Sequence, residues 1–225
     1  MKKTINLGAY GWSHKHWLES FYPDDLPVGG EEDWRLAYYS NEFDAVMVPA
    51  DYWLSGQMSD CEDWMDSVHP EFQFFVECDF GLPDQDVLKK LSGVLEVLKP
   101  QLSALVFINT DKDESDVKDT AVLKNQLIKL ADSMGVDVLG EDLDRATKSP
   151  RFTYFEDELK DLRIARAFVD QFAGQFTGQF IEQLTEQQDG GDSAADADAV
   201  IIVKHPQLEA ENLTKFKSVL EIMGY

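Results

Sequence analysis

The residues with chemically useful side chains fall at or just after apolar segments of the chain. Carboxylates and amides occur at the ends of several segments: Asp51, Glu77, Asp79, Asn109, Asp111, Glu141 and Asp142. Histidines follow the first segment, at His14 and His16, and His205 follows Lys204 after the last one. Oxygen ligands are those that Mg²⁺ and Mn²⁺ prefer, and neighbouring carboxylates raise one another's pKa, which suits general acid–base catalysis. The pattern predicts a metal-assisted hydrolase or isomerase of a small, sugar-like ligand.

Each of these residues is given a predicted role. The candidate catalytic groups are Glu77, Glu141 and His14. The candidate ligands of a Mg²⁺ or Mn²⁺ ion are Asp51, Glu77, Asp79 and Glu141. The candidate ligand-binding residues are mostly aromatic or basic: Trp12, Ser13, His16, Trp17, Tyr52, Lys204 and His205. Because the chain has 43 acidic residues, carboxylates fall after most strands by chance, and whether the protein is an enzyme stays open.

A second hypothesis is a non-catalytic protein that binds a ligand or a protein partner through aromatic side chains. All five tryptophans lie between Trp12 and Trp64, and an exposed cluster of this kind marks a contact surface. Tryptophans buried in the core would count against this hypothesis. A serine hydrolase is disfavoured, because no base or orienting acid accompanies Ser13 in the sequence.

The composition limits the partners that the protein can bind. The 225 residues carry a formal net charge of -23, from 43 acidic and 20 basic side chains. Such a surface repels nucleic acids and anionic membranes, and it attracts cations or a basic protein; the alternative is a solvated surface that maintains solubility. The two cysteines make no disulfide framework, and no run reaches the roughly 18 apolar residues of a membrane span. These features predict a cytoplasmic protein.

Apolar segments alternate with helical patterns along most of the chain. Predicted strands cover residues 4–7, 44–49, 72–80, 102–108, 136–140 and 199–203. Predicted helices cover residues 31–41, 59–68, 87–98 and 121–134, and a closing helix follows the last strand. The alternation recurs about every 30 residues, which is the size of a βαβ unit. It predicts an α/β fold with a parallel sheet, either open or closed as a barrel.

The second half of the chain is less regular. Residues 152–155 read as a sixth strand and 162–169 as a seventh, with no room between them for a crossover helix. A helix with phenylalanines on one face follows, and residues 189–198 form a predicted flexible acidic loop. A TIM barrel typically needs about 250 residues. We therefore expect one domain, residues 1–225, with a (β/α) barrel that is small or imperfect in its C-terminal half.

The opening segment contains the motifs Gly8-Ala9-Tyr10-Gly11-Trp12-Ser13-His14, His16-Trp17 and Phe21-Tyr22-Pro23. Over residues 7–53 it resembles the start of the YecE-like proteins, the domain-of-unknown-function family 72. It implies a TIM-like barrel, but no reaction, because the activity of that family is not established. Met47 and Pro49 stand where the family typically has Glu and Asn, and Lys204-His205-Pro206 replaces its usual Asn-Asn-Asp run. A site at the C-terminal rim of the barrel would be built around residues 12–17.

Overall fold

The fold is α/β, with a single parallel sheet covered by helices. A computed structural model describes residues 4–18, 20–25, 31–55, 61–78, 85–107, 117–140, 151–186 and 199–225. The strands are β1 (Ile5–Tyr10), β2 (Ala45–Val48), β3 (Gln73–Cys78), β4 (Leu102–Phe107), β5 (Asp137–Gly140), β6 (Arg151–Phe155) and β7 (Ala199–Val203). The helices are α1 (Glu31–Glu42), α2 (Ala50–Leu54), α3 (Cys61–Ser67), α4 (Gln85–Leu98), α5 (Val117–Met134), α6 (Leu162–Glu186) and α7 (Ala210–Met223), with a 3₁₀ turn at Lys15–Leu18.

The sheet is a curled half-barrel. Its strand order is β5-β4-β3-β2-β1-β7-β6, and every pairing is parallel. Phe75 on β3 and Phe152 on β6 lie on strands separated by three others, yet their ring centroids are 5.4 Å apart. Within the described residues β5 and β6 do not pair, so the sheet is TIM-like in curvature and order but is not a closed barrel.

The strands are buried on both faces. One face contributes an interior cluster, consisting of Ala45, Met47, Phe75, Ala104, Val106, Val200 and Ile202, with Tyr10, Leu139, Phe152 and Tyr154 packed against it. The other face packs against the helices, where α4 contributes Leu91, Leu95 and Leu98. This double burial explains why β2 and β7 are uninterrupted apolar runs, as the sequence indicates.

Strand β1 lies inside the sheet, between β2 and β7, and approaches β2 closely. A Cβ atom on Gly8 would lie 2.1 Å from the carbonyl oxygen of Ala45, so this position accommodates only glycine. On the helix-facing side, the hydroxyl of Tyr39 accepts a hydrogen bond from the Ala9 amide at 2.7 Å and donates one to the Ala45 carbonyl at 2.9 Å. Helix α1 thus fixes the ends of the two strands through one phenol.

One predicted element is wrong, and the predicted strands and helices within the described residues are otherwise confirmed with changes at their ends. Residues 162–169, predicted as a strand, begin the long helix α6, because Ala165, Val169 and Phe172 recur at helical spacing and are buried on one face. Residues 50–54, where no helix or strand is predicted, form the short helix α2, with Ala50 and Trp53 buried. The acidic loop predicted at 189–198 lies outside the described residues. None of the described helices has the length and apolar character needed to cross a membrane.

Candidate functional site at the strand ends

A buried carboxylate, Glu77, lies near the C-terminal end of β3 and is the centre of the candidate site. It follows Phe75 by two residues, so the alternation of the strand directs it to the interior face. Its side chain is only 3% exposed. Three donors reach it: the Lys204 ammonium at 2.9 Å from Oε1, the Tyr10 hydroxyl at Oε2, and the Ala50 amide at 3.2 Å from Oε2. The carboxylate is therefore held in one orientation.

Lys204 follows β7 directly, and its side chain reaches Glu77 across the interior. Its amide continues the pairing of β6 and β7 by donating to the Phe155 carbonyl at 2.9 Å. The ammonium lies 4.3 Å from the ring centroid of Tyr10 and 5.1 Å from that of Tyr154, both within the range of a cation–π interaction. The side chain is 32% exposed. A carboxylate and two aromatic rings thus surround a cation that solvent can still reach.

Tyr154, on β6, contributes a buried hydroxyl to the same face. Burial raises the pKa of this phenol, and the nearby Glu77 and Tyr10 raise it further, so it is a neutral hydroxyl at any physiological pH. Among the described residues its oxygen has no hydrogen-bond partner. Buried polar atoms are nearly always paired with protein or water. This hydroxyl is therefore available to a ligand atom or a water molecule.

His14 and His16 follow the C-terminal end of β1 and form a second group of polar side chains. The His14 ring packs 4.4 Å from the Trp17 ring, and burial, with a smaller effect of His16, lowers its pKa to about 4. Hydrogen bonds to the backbone of Tyr10 and Gly11 oppose this shift only in part. His14 is therefore neutral at pH 7, and its Nε2 atom has no partner within the described part of the chain. The Nε2 atom of His16 lies 2.7 Å from the Leu208 carbonyl.

Comparison with models of known protein families identifies the family of this chain. The family model described as "Protein of unknown function DUF72" matches residues 6–188, most of the chain. The chain belongs to the DUF72 family. This confirms the YecE-like resemblance, since YecE-like proteins are the DUF72 family. A solved crystal structure of a DUF72 family protein from Enterococcus faecalis V583 is similar at 10% identity, covering 97% of this chain and 98% of that chain, with a TM-score of 0.46. No functionally curated protein matches.

The tryptophans of this DUF72 member are core residues rather than a contact surface. Four of the five, Trp12, Trp17, Trp53 and Trp64, are at most 2% exposed, and Trp34 on α1 is half exposed. Trp12 packs edge-on against Trp64 at 4.7 Å and near Tyr52 at 5.1 Å. Their burial counts against the aromatic-surface hypothesis, and Trp12 and Trp17 do not offer free ring faces for a sugar to stack on.

The hydrogen bonds of the other predicted binding residues of this DUF72 protein are made with residues other than Glu77. Ser13 accepts a hydrogen bond from Arg35 at 3.3 Å. The Tyr52 hydroxyl is buried and has no partner among the described residues. His205 accepts a hydrogen bond from the Gln207 amide at Nδ1, at 3.2 Å, and so stabilises the turn after Lys204. The indole of Trp17 donates to the Leu208 carbonyl at 2.6 Å.

The predicted metal ligands of this DUF72 chain do not converge within the described residues. Asp51 is exposed on α2, while Asp79 and Glu141 lie outside the described part of the chain. No group of three or more potential ligands is found among the described His, Cys, Asp and Glu side chains. Of the two described members of the predicted set, Glu77 is buried and is paired with the cation of Lys204. Binding of Mg²⁺ or Mn²⁺ stays a prediction.

Sequence reasoning identified Glu77 and Lys204 but missed Tyr10 and Tyr154. The alternation of side chains along a strand could have predicted both residues. Tyr10 ends β1 two residues after Gly8, and Tyr154 follows Phe152 by two residues on β6. Each tyrosine therefore lies on the interior face of the sheet. Met47, where the resemblance implies a glutamate, lies in the apolar interior cluster. The buried carboxylate Glu77 lies on the neighbouring strand β3.

Proposed function

We propose that this DUF72 protein binds a small sugar-like molecule with carbonyl and hydroxyl groups at the C-terminal strand ends and isomerises it by proton transfer. The observation that carries the proposal is the buried Glu77–Lys204 pair, 2.9 Å apart, on the interior face of the sheet. Tyr10 and Tyr154 complete this site. We call these four residues the rim site.

The position of the rim site supports catalysis. The four side chains come from the ends of four different strands, β1, β3, β6 and β7. In (β/α) barrels the active site lies at the C-terminal face and draws its residues from the ends of several strands. The rim site occupies the equivalent face of this half-barrel, next to the same interior that the apolar cluster fills.

Packing alone does not account for the charged side chains of the rim site. The interior cluster beside it is apolar, and a buried ion pair can often be replaced by apolar side chains at no cost in stability. A carboxylate and an ammonium in this place therefore support a functional role.

The geometry supports isomerisation better than hydrolysis. Lys204 is more exposed than Glu77, so it is the charged group that a ligand meets first, and the carboxylate behind it fixes its position. A fixed ammonium beside a carbonyl oxygen stabilises the negative charge that develops when the neighbouring C–H proton is removed. Glycoside hydrolysis uses two carboxylates across one bond, and among the described residues Glu77 is the carboxylate found paired with Lys204. Glu141 and His14 stay candidates for a second proton-transfer group.

Deuterium exchange tests the proposal. The protein is incubated in D₂O with a panel of aldoses, ketoses and short hydroxy-carbonyl compounds, and NMR measures deuterium at the carbon beside the carbonyl. We expect exchange with at least one compound, and a loss of about 100-fold or more in the double variant Glu77→Gln/Lys204→Met, which removes both charges together.

The matched control for this experiment is the exposed ion pair on α7. Lys215 and Glu211 lie 2.7 Å apart, so the double variant Glu211→Gln/Lys215→Met removes the same two charges from the surface. It should exchange at the wild-type rate. Equal exchange in wild type and the rim-site double variant, or none with any compound, would contradict the proposal.

A further inference from the structure

The Lys204 side chain combines a reactive group with a proton acceptor. The side chain ends in a primary amine and is about one-third exposed, and the Glu77 carboxylate lies 2.9 Å from its nitrogen. We propose that Lys204 forms a covalent imine with an aldehyde or ketone ligand. The inference rests on the proposed function for the location of the site, and adds to it a substrate class and a covalent intermediate.

The first requirement is an amine that can lose its proton. In the resting pair the ammonium donates its hydrogen bond directly to Glu77, so one proton moved along this bond produces a neutral amine and a neutral carboxylic acid. The departing proton therefore has a direct acceptor 2.9 Å from the nitrogen. An amine with an adjacent base of this kind is an activated nucleophile for a carbonyl carbon.

The second requirement is a site that tolerates the product. A protonated imine carries its positive charge on the same nitrogen as the ammonium did. The Glu77 carboxylate and the ring faces of Tyr10 and Tyr154 therefore stabilise the product as they stabilise the resting lysine. The Tyr154 hydroxyl, which has no hydrogen-bond partner among the described residues, lies on the same face of the sheet and can hydrogen-bond the ligand oxygen or the water that leaves.

Glu77 accepts and donates every proton that is transferred during imine formation. Lys204 passes one proton to Glu77, and its lone pair adds to the carbonyl carbon, so that the C–N bond forms and the C=O π bond opens. The oxygen takes the proton from Glu77, and the cationic nitrogen returns another to the carboxylate. Glu77 then protonates the hydroxyl, the C–O bond breaks, water leaves, and the nitrogen lone pair forms the C=N bond. Glu77 ends as the carboxylate that it was at the start.

Reductive trapping tests the inference. The protein is mixed with glyceraldehyde, dihydroxyacetone or pyruvate and sodium cyanoborohydride, which reduces an imine to a stable secondary amine. Mass spectrometry of the intact chain and of its peptides then measures and locates the adduct. We expect labelling of Lys204 before any exposed lysine such as Lys215.

The control variant is Lys204→Arg. Arginine keeps a cation beside Glu77, but its guanidinium stays protonated and forms no imine. We expect this variant to form no adduct at position 204, while the same carbonyl compound still raises its melting midpoint. Lys215→Met should keep the Lys204 adduct.

Failure of the imine and failure of the proposed function give different results. If a carbonyl compound raises the melting midpoint or exchanges deuterium but Lys204 is never labelled, the imine is overturned and the proposed function stands. If no compound binds, exchanges or labels, both are overturned. If labelling at Lys204 is no faster than at exposed lysines, the special reactivity of Lys204 is overturned.

Discussion

Glu77 on β3 and Lys204 after β7 form an ion pair across the interior face of the sheet, with 2.9 Å between Oε1 and Nζ. Strands β2 and β1 separate the two backbones, so the pair forms only because the sheet is curled. The first prediction concerns its energetics. Lys204→Met leaves a buried carboxylate without its cation and should lower the free energy of unfolding by about 3–5 kcal/mol. Urea unfolding at pH 7 measures the change.

The double variant and a surface pair are the controls for this prediction. Glu77→Gln/Lys204→Met should recover most of the lost stability, because no unpaired charge remains. Loss of Lys215 from its exposed pair with Glu211 should lower the free energy of unfolding far less than loss of Lys204 does, because solvent screens the surface pair. A rim-site single variant that is no less stable than the Lys215 variant would show that the interior pair is not formed.

The second prediction concerns the pH dependence of stability through His14. The folded-state pKa of His14 is about 4, below its ordinary value of 6.5, so the unfolded state binds the proton more readily. Stability from this residue is therefore complete above pH 6.5 and decreases as the pH falls toward 4, by at most about 3.4 kcal/mol at 1.36 kcal/mol per pKa unit. Unfolding curves from pH 7 to pH 5, before most carboxylates titrate, measure the loss.

His14→Gln is the matched variant for the pH experiment. Its stability should change less with pH over the same interval, because the titrating ring is gone. If wild type and His14→Gln lose stability in parallel, His14 is not a buried neutral imidazole.

The third prediction tests the close contact of β1 with β2. Gly8→Ala should prevent folding or cost several kcal/mol, because the new Cβ would lie 2.1 Å from the Ala45 carbonyl oxygen and the strands cannot separate without losing their pairing. Gly174→Ala, in α6, adds a Cβ with nothing within 4 Å and should stabilise by about 0.5–1 kcal/mol. Melting midpoints of the two variants give the comparison. A stable Gly8→Ala protein would contradict the register of β1.

The fourth prediction concerns the tryptophans. Since only Trp34 is substantially exposed, Trp34→Phe should remove most of the fluorescence that acrylamide can quench, and the remaining four indoles should resist quenching. Trp17→Phe, which loses the indole bond to Leu208, should leave the quenchable fraction almost unchanged. Strong quenching in the Trp34→Phe variant would restore the aromatic-surface hypothesis.

The sequence predicts much of the fold because it contains local signals. Strands β2 and β7 are continuous apolar runs, and α4 has one apolar stripe, so each is readable without its neighbours. The start of α6 cannot be predicted from local sequence in this way, because arginines at 163 and 166 interrupt an apolar segment that fits a strand as well as a helix. There the tertiary contact of Ala165 and Val169 with the core decides the structure.

The candidate site was predictable only in part, for a different reason. Glu77 and Lys204 can each be placed at a strand end, but they lie 127 residues apart, and nothing local indicates that they pair. Their contact depends on the curl of the sheet. Trp12 and Trp17 were expected at an open rim, but the 3₁₀ turn at Lys15–Leu18 folds the segment back, and both rings enter the core.

The measurement that tests the central claim most directly is a melting titration with small carbonyl compounds. A ligand of the folded state alone should stabilise wild type by about 2.7 kcal/mol at one hundred times its dissociation constant. We predict a saturable rise of the midpoint in wild type and in Glu211→Gln/Lys215→Met, and none in Glu77→Gln/Lys204→Met. A rise of equal size in all three proteins, or in none of them with any compound, would contradict a ligand site at Glu77 and Lys204.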